Sequence, residues 1–396
     1  CSLLEPCNDN YQCSPNQSIC AVNTCCQPTA RCLPLSMTTL CPLDNENTSC
    51  QTSLTPMMFY LDNSDPTDIA TGDFNHDNRI DLVVTRYEEK QISILLGYGD
   101  GRFVEQVPIS VSNKPRSIAV ADFNEDKHLD IIVTNFYSAN LTILFGYGNG
   151  TFLLADTSEI TYGAASIFAV DINNDNHMDI VVTNIMSTSN LGVYFGYGNG
   201  SFSSGILTSI SYPYGIALRD FNNDRKIDLA VPNYYGRYIS IHFGFGNGSF
   251  SNPKNHPAGI SPYSIVIADL NNDYQSDLVV INRANDSTIS VLLGFVDGSF
   301  APQIILKSNS FSHFVVVQDM NNDHNMDIIV TNSENNSTSL FFGYGNGSFT
   351  NELRFATGSW PTFIASDDFN GDNRLDLVIS NYQSKNIGIF FNVCNP

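Results

Sequence analysis

One nine-residue pattern recurs seven times along this chain and constrains its fold more than any other feature. The first copy is DFNHDNRID, from Asp73 to Asp81, and the other six begin at Asp122, Asp171, Asp220, Asp269, Asp319 and Asp368. Consecutive copies are 49 residues apart, except for one step of 50 residues. A period in this range is typical of repeat architectures, in which each copy is one supersecondary unit packed against its neighbours.

One repeat, residues 115–158, indicates what the unit is. A short apolar segment, residues 117–122, precedes the Asp-rich pattern, and two more apolar segments follow it at residues 130–135 and 140–146. An Asn-Gly turn, which supplies residues of positive φ, then leads to a weaker fourth segment. Four short strands joined by hairpins predict one blade of a β-propeller, and helical periodicity is absent. The predicted fold class is therefore all-β, a seven-bladed β-propeller of four-stranded blades.

The seventh repeat is incomplete. A Gly-aromatic turn follows the third strand in six repeats, at Gly97, Gly146, Gly196, Gly244, Gly294 and Gly343, but the chain ends just after the third strand of the last repeat. Residues 57–62 precede the first inner strand and belong to no other repeat. We expect them to pair beside residues 386–392 and complete blade 7, because a closed ring has no open sheet edge. The predicted propeller domain is residues 54–396.

The first 53 residues predict a separate cysteine-rich arm. Nine of the ten cysteines lie there, and the tenth is Cys394. This density predicts a disulfide framework and an oxidising compartment. Because nine is an odd number, one of these cysteines is expected to pair with Cys394 if all are oxidised within the chain, with Cys41 and Cys50 the nearest candidates. Ten Asn-x-Ser/Thr sequons agree with N-linked glycans on a secreted protein, and no apolar run is long enough to span a membrane.

The nine-residue pattern carries the chemistry of the chain. Positions 1, 3, 5 and 9 offer carboxylate or amide oxygens, and three carboxylates in so short a loop repel one another unless a cation neutralises them. An all-oxygen set with three negative charges suits calcium better than zinc or copper. We therefore predict about seven calcium ions, which would change the formal net charge from −22 to −8. The predicted side-chain ligands are Asp73, Asn75, Asp77, Asp81, Asp122, Asn124, Asp126, Asp130, Asp171, Asn173, Asp175, Asp179, Asp220, Asn222, Asp224, Asp228, Asp269, Asn271, Asp273, Asp277, Asp319, Asn321, Asp323, Asp327, Asp368, Asn370, Asp372 and Asp376.

The alternative is that these residues only form side-chain turns between strands. All seven copies keep the four oxygen-bearing positions while the others vary, which favours metal binding. The loop is not an EF-hand, because it lacks a glycine at position 6 and a glutamate at position 12. Histidines at variable loop positions are expected to face solvent and not to bind metal: His76, His128, His177 and His324.

The Asp loops, together with six turns of the form G-[YF]-[GV]-[ND]-G-x-F, make residues 54–393 resemble the FG-GAP repeat family, the calcium-binding blades found in the integrin α-subunit propeller and in VCBS-type repeats. The resemblance implies a seven-bladed ring with calcium in hairpins on one face and ligands on the opposite face. Two features depart from the family pattern: the fifth turn has Val296 in place of glycine, and position 6 of the loops is not the usual glycine. Neither departure removes a side-chain ligand.

The face opposite the Asp loops is where the repeats diverge, and it carries many aromatic residues: Tyr87, Phe136, Tyr137, Tyr212, Tyr214, Tyr234, Tyr235, Tyr238, Tyr263 and Trp360. Aromatic residues on variable loops serve protein or carbohydrate recognition. The alternative is that several of them pack between blades and stabilise the ring.

The sequence predicts a non-enzymatic, extracellular calcium-binding propeller, secreted or associated with the cell surface, for adhesion to or recognition of a protein or glycan. It contains no G-x-S-x-G, H-E-x-x-H or P-loop motif, and its 18 Lys and Arg form no stripe that would suit nucleic acid. The alternative is a structural subunit that self-assembles head-to-tail into a homo-oligomer or filament through its N-terminal arm, since such contacts need not close.

Overall fold

The structure, a computed structural model, describes residues 18–21, 31–34, 51–61, 64–155, 158–160, 162–186, 190–210, 212–284, 287–308 and 311–395. It divides into two units, residues 1–49 with residue 396, and residues 50–395. In the first unit the described residues form one antiparallel pair, β1 (Ser18–Ala21) and β2 (Arg31–Pro34). The predicted disulfide pairing concerns side chains outside the described ones. The described residues contain no helix, and so none that could cross a membrane.

The second unit consists of seven antiparallel sheets, and this confirms the predicted all-β, seven-bladed propeller of four-stranded blades. In blades 1 to 6 the first strand along the chain is innermost, whereas in blade 7 the innermost strand, Pro361–Asp367, comes after the outermost one, Gln51–Tyr60, in the chain. In blades 1 and 2 the outermost strand is divided into two short pieces that pair with the same neighbour.

The strands of blades 1 to 3 follow the order of the chain. Blade 1 contains β4 (Pro66–Gly72), β5 (Asp81–Arg86), β6 (Gln91–Gly97), β7 (Phe103–Glu105) and β8 (Ile109–Ser110). Blade 2 contains β9 (Pro115–Ala121), β10 (Asp130–Asn135), β11 (Asn140–Gly146), β12 (Phe152–Leu154) and β13 (Ser158–Glu159). Blade 3 contains β14 (Ala164–Val170), β15 (Asp179–Asn184), β16 (Asn190–Tyr194) and β17 (Ile206–Ser209).

The remaining blades repeat this order, except for the last strand of blade 7. Blade 4 contains β18 (Ala217–Arg219), β19 (Asp228–Asn233), β20 (Tyr238–His242) and β21 (Lys254–Pro257). Blade 5 contains β22 (Pro262–Ala268), β23 (Asp277–Asn282), β24 (Thr288–Leu292) and β25 (Ile304–Lys307). Blade 6 contains β26 (Ser312–Gln318), β27 (Asp327–Asn332), β28 (Ser337–Phe341) and β29 (Leu353–Ala356). Blade 7 contains β30 (Pro361–Asp367), β31 (Asp376–Asn381), β32 (Asn386–Asn395) and β3 (Gln51–Tyr60).

The second strand of each blade is buried along its whole length. These strands are continuous runs such as DIIVTN, because another blade covers each of their faces and leaves no solvent side for polar residues to occupy. The outer strands are mostly exposed. Seven hydrophobic clusters lie between the blades, one at each interface. Among them, Ile69 and Leu82 of blade 1 pack with Val378 of blade 7, so the ring closes through a core of the same kind as the other six.

The fourth strand of blade 7 comes from the segment before blade 1. β3 pairs antiparallel with β32 over ten residues, from Gln51 opposite Asn395 to Tyr60 opposite Asn386. The sequence placed this strand at residues 57–62, whereas it begins at Gln51 and ends at Tyr60. A single sheet therefore holds the first and last strands of the unit.

Candidate functional site

The aspartate at position 9 of each loop is a buried structural link. Asp81 is 0% exposed, its Oδ1 accepts a hydrogen bond from the Gly97 N–H at 2.7 Å, and its Oδ2 accepts one from the Phe74 N–H at 2.9 Å. The carboxylate thus joins the start of the Asp loop to the end of the third strand. The same two bonds occur at the position-9 residues Asp130, Asp179, Asp228, Asp277, Asp327 and Asp376, although in blade 7 the Asn392 N–H replaces that of the glycine.

This link explains the first glycine of the Gly-aromatic turn. A Cβ on Gly97 would lie 2.2 Å from the carbonyl oxygen of Ile80, the residue before the position-9 aspartate. The corresponding glycines of the next five blades make the same close approach. The Asp loop and the Gly-aromatic turn are therefore two halves of one local structure.

Positions 1, 3 and 5 gather in one tight turn near the surface. Asp73 Oδ1 and Asn75 Oδ1 both accept the N–H of Asp77, at 3.1 and 3.0 Å, and Asp73 Oδ2 accepts the N–H of Asn78 at 2.8 Å. The other six loops make the same bonds. These bonds fold each loop so that the side chains at positions 1 and 3 both contact the backbone at position 5.

The loop backbone adopts the left-handed conformation twice, at positions 4 and 6. In the first loop these are His76 and Asn78, with φ of 57° and 60°. All seven loops share this feature, and Gly371 is the only glycine at either position. Non-glycine residues adopt this conformation at a cost that the surrounding structure must offset. The position-1 and position-5 carboxylates supply part of that compensation by accepting hydrogen bonds from backbone N–H groups of the loop.

The carboxylates of a loop are close enough to repel one another. Burial, with a smaller contribution from the nearby charges of Asp77 and Asp73, raises the pKa of Asp81 to about 6. The same causes raise the pKa of Asp130, Asp228, Asp277 and Asp327 to about 6 and that of Asp376 to about 7, and they also raise the pKa of Asp179. Among the described residues no three His, Cys, Asp or Glu side chains form a metal centre. Calcium binding at these loops stays a prediction.

Neighbouring loops contact one another around this face. His76 at position 4 of loop 1 and His128 at position 7 of loop 2 are joined by a hydrogen bond of 2.7 Å between Nε2 and Nδ1. Glu125 and His177 make the equivalent contact at 2.5 Å, and the hydrogen bond to Glu125 raises the pKa of His177. The corresponding hydrogen bond joins Asn223 to Gln275 between loops 4 and 5, and Asn272 to Asn325 between loops 5 and 6. The variable positions therefore form surface contacts between blades.

The opposite end of the ring contains a central cavity of about 340 Å³. Most of the lining residues lie near the beginning of the inner strands, and Tyr87 and Tyr382 directly follow second strands. The Asp loops follow the other ends of the inner strands, so the two sites lie at opposite ends of the ring axis. Of the ten predicted aromatic residues, Tyr87, Tyr214, Tyr263 and Trp360 line the cavity. The others lie outside the lining, where Tyr234, for example, contacts Tyr214 with ring centroids 5.3 Å apart.

Sequence reasoning missed several lining residues, namely Asp68, Arg116, Phe168, His313, Phe314, Phe363 and Tyr382. Most of them sit in the first half of an inner strand, and that shared position is the signal that could have found them. Burial, together with the charges of Arg283 and Arg116, lowers the pKa of His313 to about 3. The neutral imidazole donates its Nδ1–H to the carbonyl oxygen of Thr362 at 2.9 Å.

Asp68 gives the chain a pH dependence that can be tested by substitution. It is 5% exposed, and its carboxylate accepts the N–H groups of Ile69 at 2.8 Å and Ile118 at 2.9 Å. Burial nevertheless raises its pKa to about 7. Because this value exceeds the pKa of the unfolded chain, the neutral form stabilises the fold at low pH, and that contribution is lost as pH rises through about 7.

We expect Asp68→Asn to remove this contribution. Between about pH 4 and 7 the free energy of unfolding of the wild type should fall with rising pH by up to about 1.4 kcal/mol per pH unit more than that of the variant. Urea denaturation at several pH values measures the difference. Asp297→Asn is the matched control, because Asp297 lies in an exposed turn where hydrogen bonds from Ser299 lower its pKa. Equal slopes for the wild type and Asp68→Asn would contradict the prediction.

Six overlapping segments of the chain match the FG-GAP-like repeat family: residues 73–133, 122–182, 171–231, 220–280, 269–330 and 319–379. The chain belongs to the FG-GAP-like repeat family. Each matched segment begins at position 1 of an Asp loop and ends in the second strand of the next blade, so the family pattern spans one blade interface. The resemblance expected from the Asp loops and Gly-aromatic turns is thereby confirmed.

Solved structures similar to this FG-GAP-like chain share its fold at low sequence identity. BBS1N in its complex with ARL6DN is 13% identical, with a TM-score of 0.59 over 82% of this chain and 91% of that one. A lectin from Agrocybe aegerita that recognises non-reducing terminal N-acetylglucosamine is 16% identical, with a TM-score of 0.53 over 84% and 86%. Virginiamycin B lyase from Staphylococcus aureus is 12% identical, with a TM-score of 0.56 over 87% and 100%. No curated protein sequence matches the chain.

Proposed function

We propose that this FG-GAP-like propeller is a non-enzymatic extracellular recognition module, stabilised by calcium, that binds a protein or a glycan at the cavity end of the ring. The observation that carries the proposal is the contrast between the two ends. The Asp-loop end repeats the same four oxygen-bearing residues in every blade, whereas the cavity end brings together different aromatic and charged residues from each blade. The repeated end keeps the scaffold rigid, and the loops at the other end can differ in sequence and bind a ligand.

The loops fit calcium by the chemistry of their donors. Positions 1, 3, 5 and 9 offer only oxygen ligands, and the carboxylates are close enough to raise the pKa of the buried aspartate. In each loop the side chains at positions 1, 3 and 5 would hold the ion near the surface, and the position-9 carboxylate would add negative charge from below. A divalent cation there would offset the mutual repulsion and support the strained turn.

A binding role has more support than a catalytic one. The carboxylate clusters repeat in every blade, whereas a catalytic pair needs a single arrangement that differs from the rest. In the described part of the chain, the hydrogen bond that His313 makes is to a backbone carbonyl and not to a nucleophilic side chain. The similar folds include two proteins described by what they bind and one lyase, so the fold alone agrees with either role.

A glycan array probed with the fluorescently labelled full chain in calcium tests this proposal. Tyr235, which is 73% exposed and touches Tyr212 at a centroid distance of 4.9 Å, lies beside the cavity-end aromatic residues. We expect Tyr235→Ala to weaken binding about tenfold, because exposed aromatic residues contribute strongly to recognition. Tyr274→Ala is the matched control, since Tyr274 is 94% exposed at position 6 of an Asp loop on the other face.

Two results would count against the proposal. One is binding that Tyr274→Ala weakens and Tyr235→Ala does not, and the other is turnover of a bound glycan or peptide. If the array is silent, the same pair of variants can be compared for protein capture on a membrane extract from the source tissue. The filament alternative depends on residues 1–53, most of which lie outside the described part, and it stays a prediction. Light scattering that detects only monomers of the calcium-loaded chain would reject it.

A further inference from the structure

The central cavity contains a positive side chain that forms no ion pair with any described residue. Arg116 lines it from β9, and its guanidinium lies over the ring of Phe136, 4.7 Å from the centroid. Among the described residues, Arg116 has no ion pair and its guanidinium makes no hydrogen bond. The charge acts across the cavity, because it contributes, after burial and Arg283, to lowering the pKa of His313 in blade 6.

In the described part of the chain no carboxylate forms an ion pair with Arg116, although its charge interacts with Asp68 and lowers the pKa of that residue against the larger effect of burial. Asp68 is the one carboxylate among the described lining residues, and its oxygens are occupied by the N–H groups of Ile69 and Ile118. Outside the lining, Glu88 forms an ion pair with Lys114 and Asp65 forms one with Lys385. The cavity therefore offers a guanidinium to an anionic ligand.

The residues that line the cavity suit a cyclic ligand that has both an apolar face and hydroxyl groups. Tyr214 and Tyr263 stack at a centroid distance of 4.8 Å, and Trp360 lies on another part of the lining. Tyrosine and tryptophan combine a flat apolar surface with a polar group that can form hydrogen bonds. The volume of about 340 Å³ is near the lower limit of ligand pockets, roughly 300 to 1,000 Å³. This space suits one ring and not an extended chain.

We propose that the central cavity binds a single acidic sugar residue, a pyranose that carries a carboxylate. The carboxylate contacts the guanidinium of Arg116, and the ring lies against the aromatic walls. A guanidinium matches a carboxylate through two parallel hydrogen bonds. This inference rests on the proposed recognition function and names the class of ligand at the same face.

The chain contains its own reporter for this site, because Trp360 is its single tryptophan. Titration of the full chain in calcium with glucuronate should give a saturable change in tryptophan fluorescence, and glucose, the neutral match, should give none. Arg116→Gln should weaken glucuronate binding by about tenfold or more, as expected for the loss of a charged hydrogen bond. Arg102→Gln is the control arginine, since Arg102 pairs with Asp100 in a Gly-aromatic turn at the other end of the ring. Melting curves establish that both variants are folded.

The proposal is overturned if glucuronate, galacturonate and N-acetylneuraminate all fail to produce a saturable change, if glucose binds as well as glucuronate, or if Arg116→Gln binds glucuronate like the wild type. A polyglutamate peptide separates a failure of the acidic-sugar proposal from a failure of the proposed recognition function. Binding of that peptide through Arg116, without binding of the acidic sugars, would overturn the acidic-sugar proposal while recognition at this face stands. Acidic-sugar binding that depends on Arg102 and not on Arg116 would overturn both.

Discussion

Chelating calcium with EGTA should lower the melting temperature of this propeller by about 10 °C or more. Ions that bind only the folded chain stabilise it by mass action, and one site at a free concentration of 100 times its Kd contributes about 2.7 kcal/mol. Seven loops share the same donors, and each holds three mutually repelling carboxylates once the ion is gone. In large domains each kcal/mol of stability shifts the melting temperature by roughly 2 to 4 °C. Even part of the stabilisation from seven bound ions therefore corresponds to a shift of this size.

The shift must be specific to calcium if these loops are the cause. Differential scanning fluorimetry in calcium, in EGTA, in EGTA with magnesium and in EGTA with sodium chloride separates site binding from general screening. Excess calcium should restore the melting temperature, and sodium chloride should restore little of it, because screening cannot replace the coordinating ion. A melting temperature that is the same in calcium and in EGTA would contradict the calcium assignment for all seven loops.

Asp130→Ala should destabilise the fold by about 4 kcal/mol, and the effect should persist in EGTA. The substitution leaves two buried donors without partners, the N–H groups of Phe123 and Gly146, and each unsatisfied buried donor costs about 1 to 3 kcal/mol. The side chain is 0% exposed, so water cannot replace the lost bonds. Chemical denaturation with and without calcium measures the change in the free energy of unfolding.

Asp126→Ala, at position 5 of the same loop, is the matched control. Its carboxylate is exposed and accepts the N–H of His128 at 2.8 Å. If the loop binds calcium, this substitution should destabilise the chain in calcium and have a much smaller effect in EGTA. A destabilisation by Asp130→Ala that disappears in EGTA would show that the position-9 carboxylate acts through the ion and not through its backbone bonds.

The number and type of blades could be predicted from the sequence because the signals are local. Each buried second strand is a continuous apolar run directly after an Asp loop, and each hairpin has its own turn residues. The role of the position-9 aspartate could not be predicted in the same way. It depends on how closely the Ile80 carbonyl approaches Gly97, two residues that belong to separate motifs in the sequence.

The cavity was only partly predictable. Its tyrosines and its tryptophan stand out in the variable loops, but Arg116 and His313 lie near the beginning of mostly apolar inner strands and belong to no motif. Both residues line the same cavity because seven inner strands surround one axis. The distance between those strands is set by the closed ring and not by any one repeat. A repeat read by itself contains no information about which residues the other six blades place beside it.

The pairing of β3 with β32 has a consequence for biosynthesis. The segment Gln51–Tyr60 leaves the ribosome before any blade, yet its hydrogen-bonding partner, Asn386–Asn395, is translated after the other six blades. Six sheets can form while this early strand is still unpaired, and its exposed backbone N–H and C=O groups can then pair with other strands. Completion of the wheel is therefore a late event, and a chaperone or a neighbouring domain that shields that strand would raise the yield of correctly folded protein.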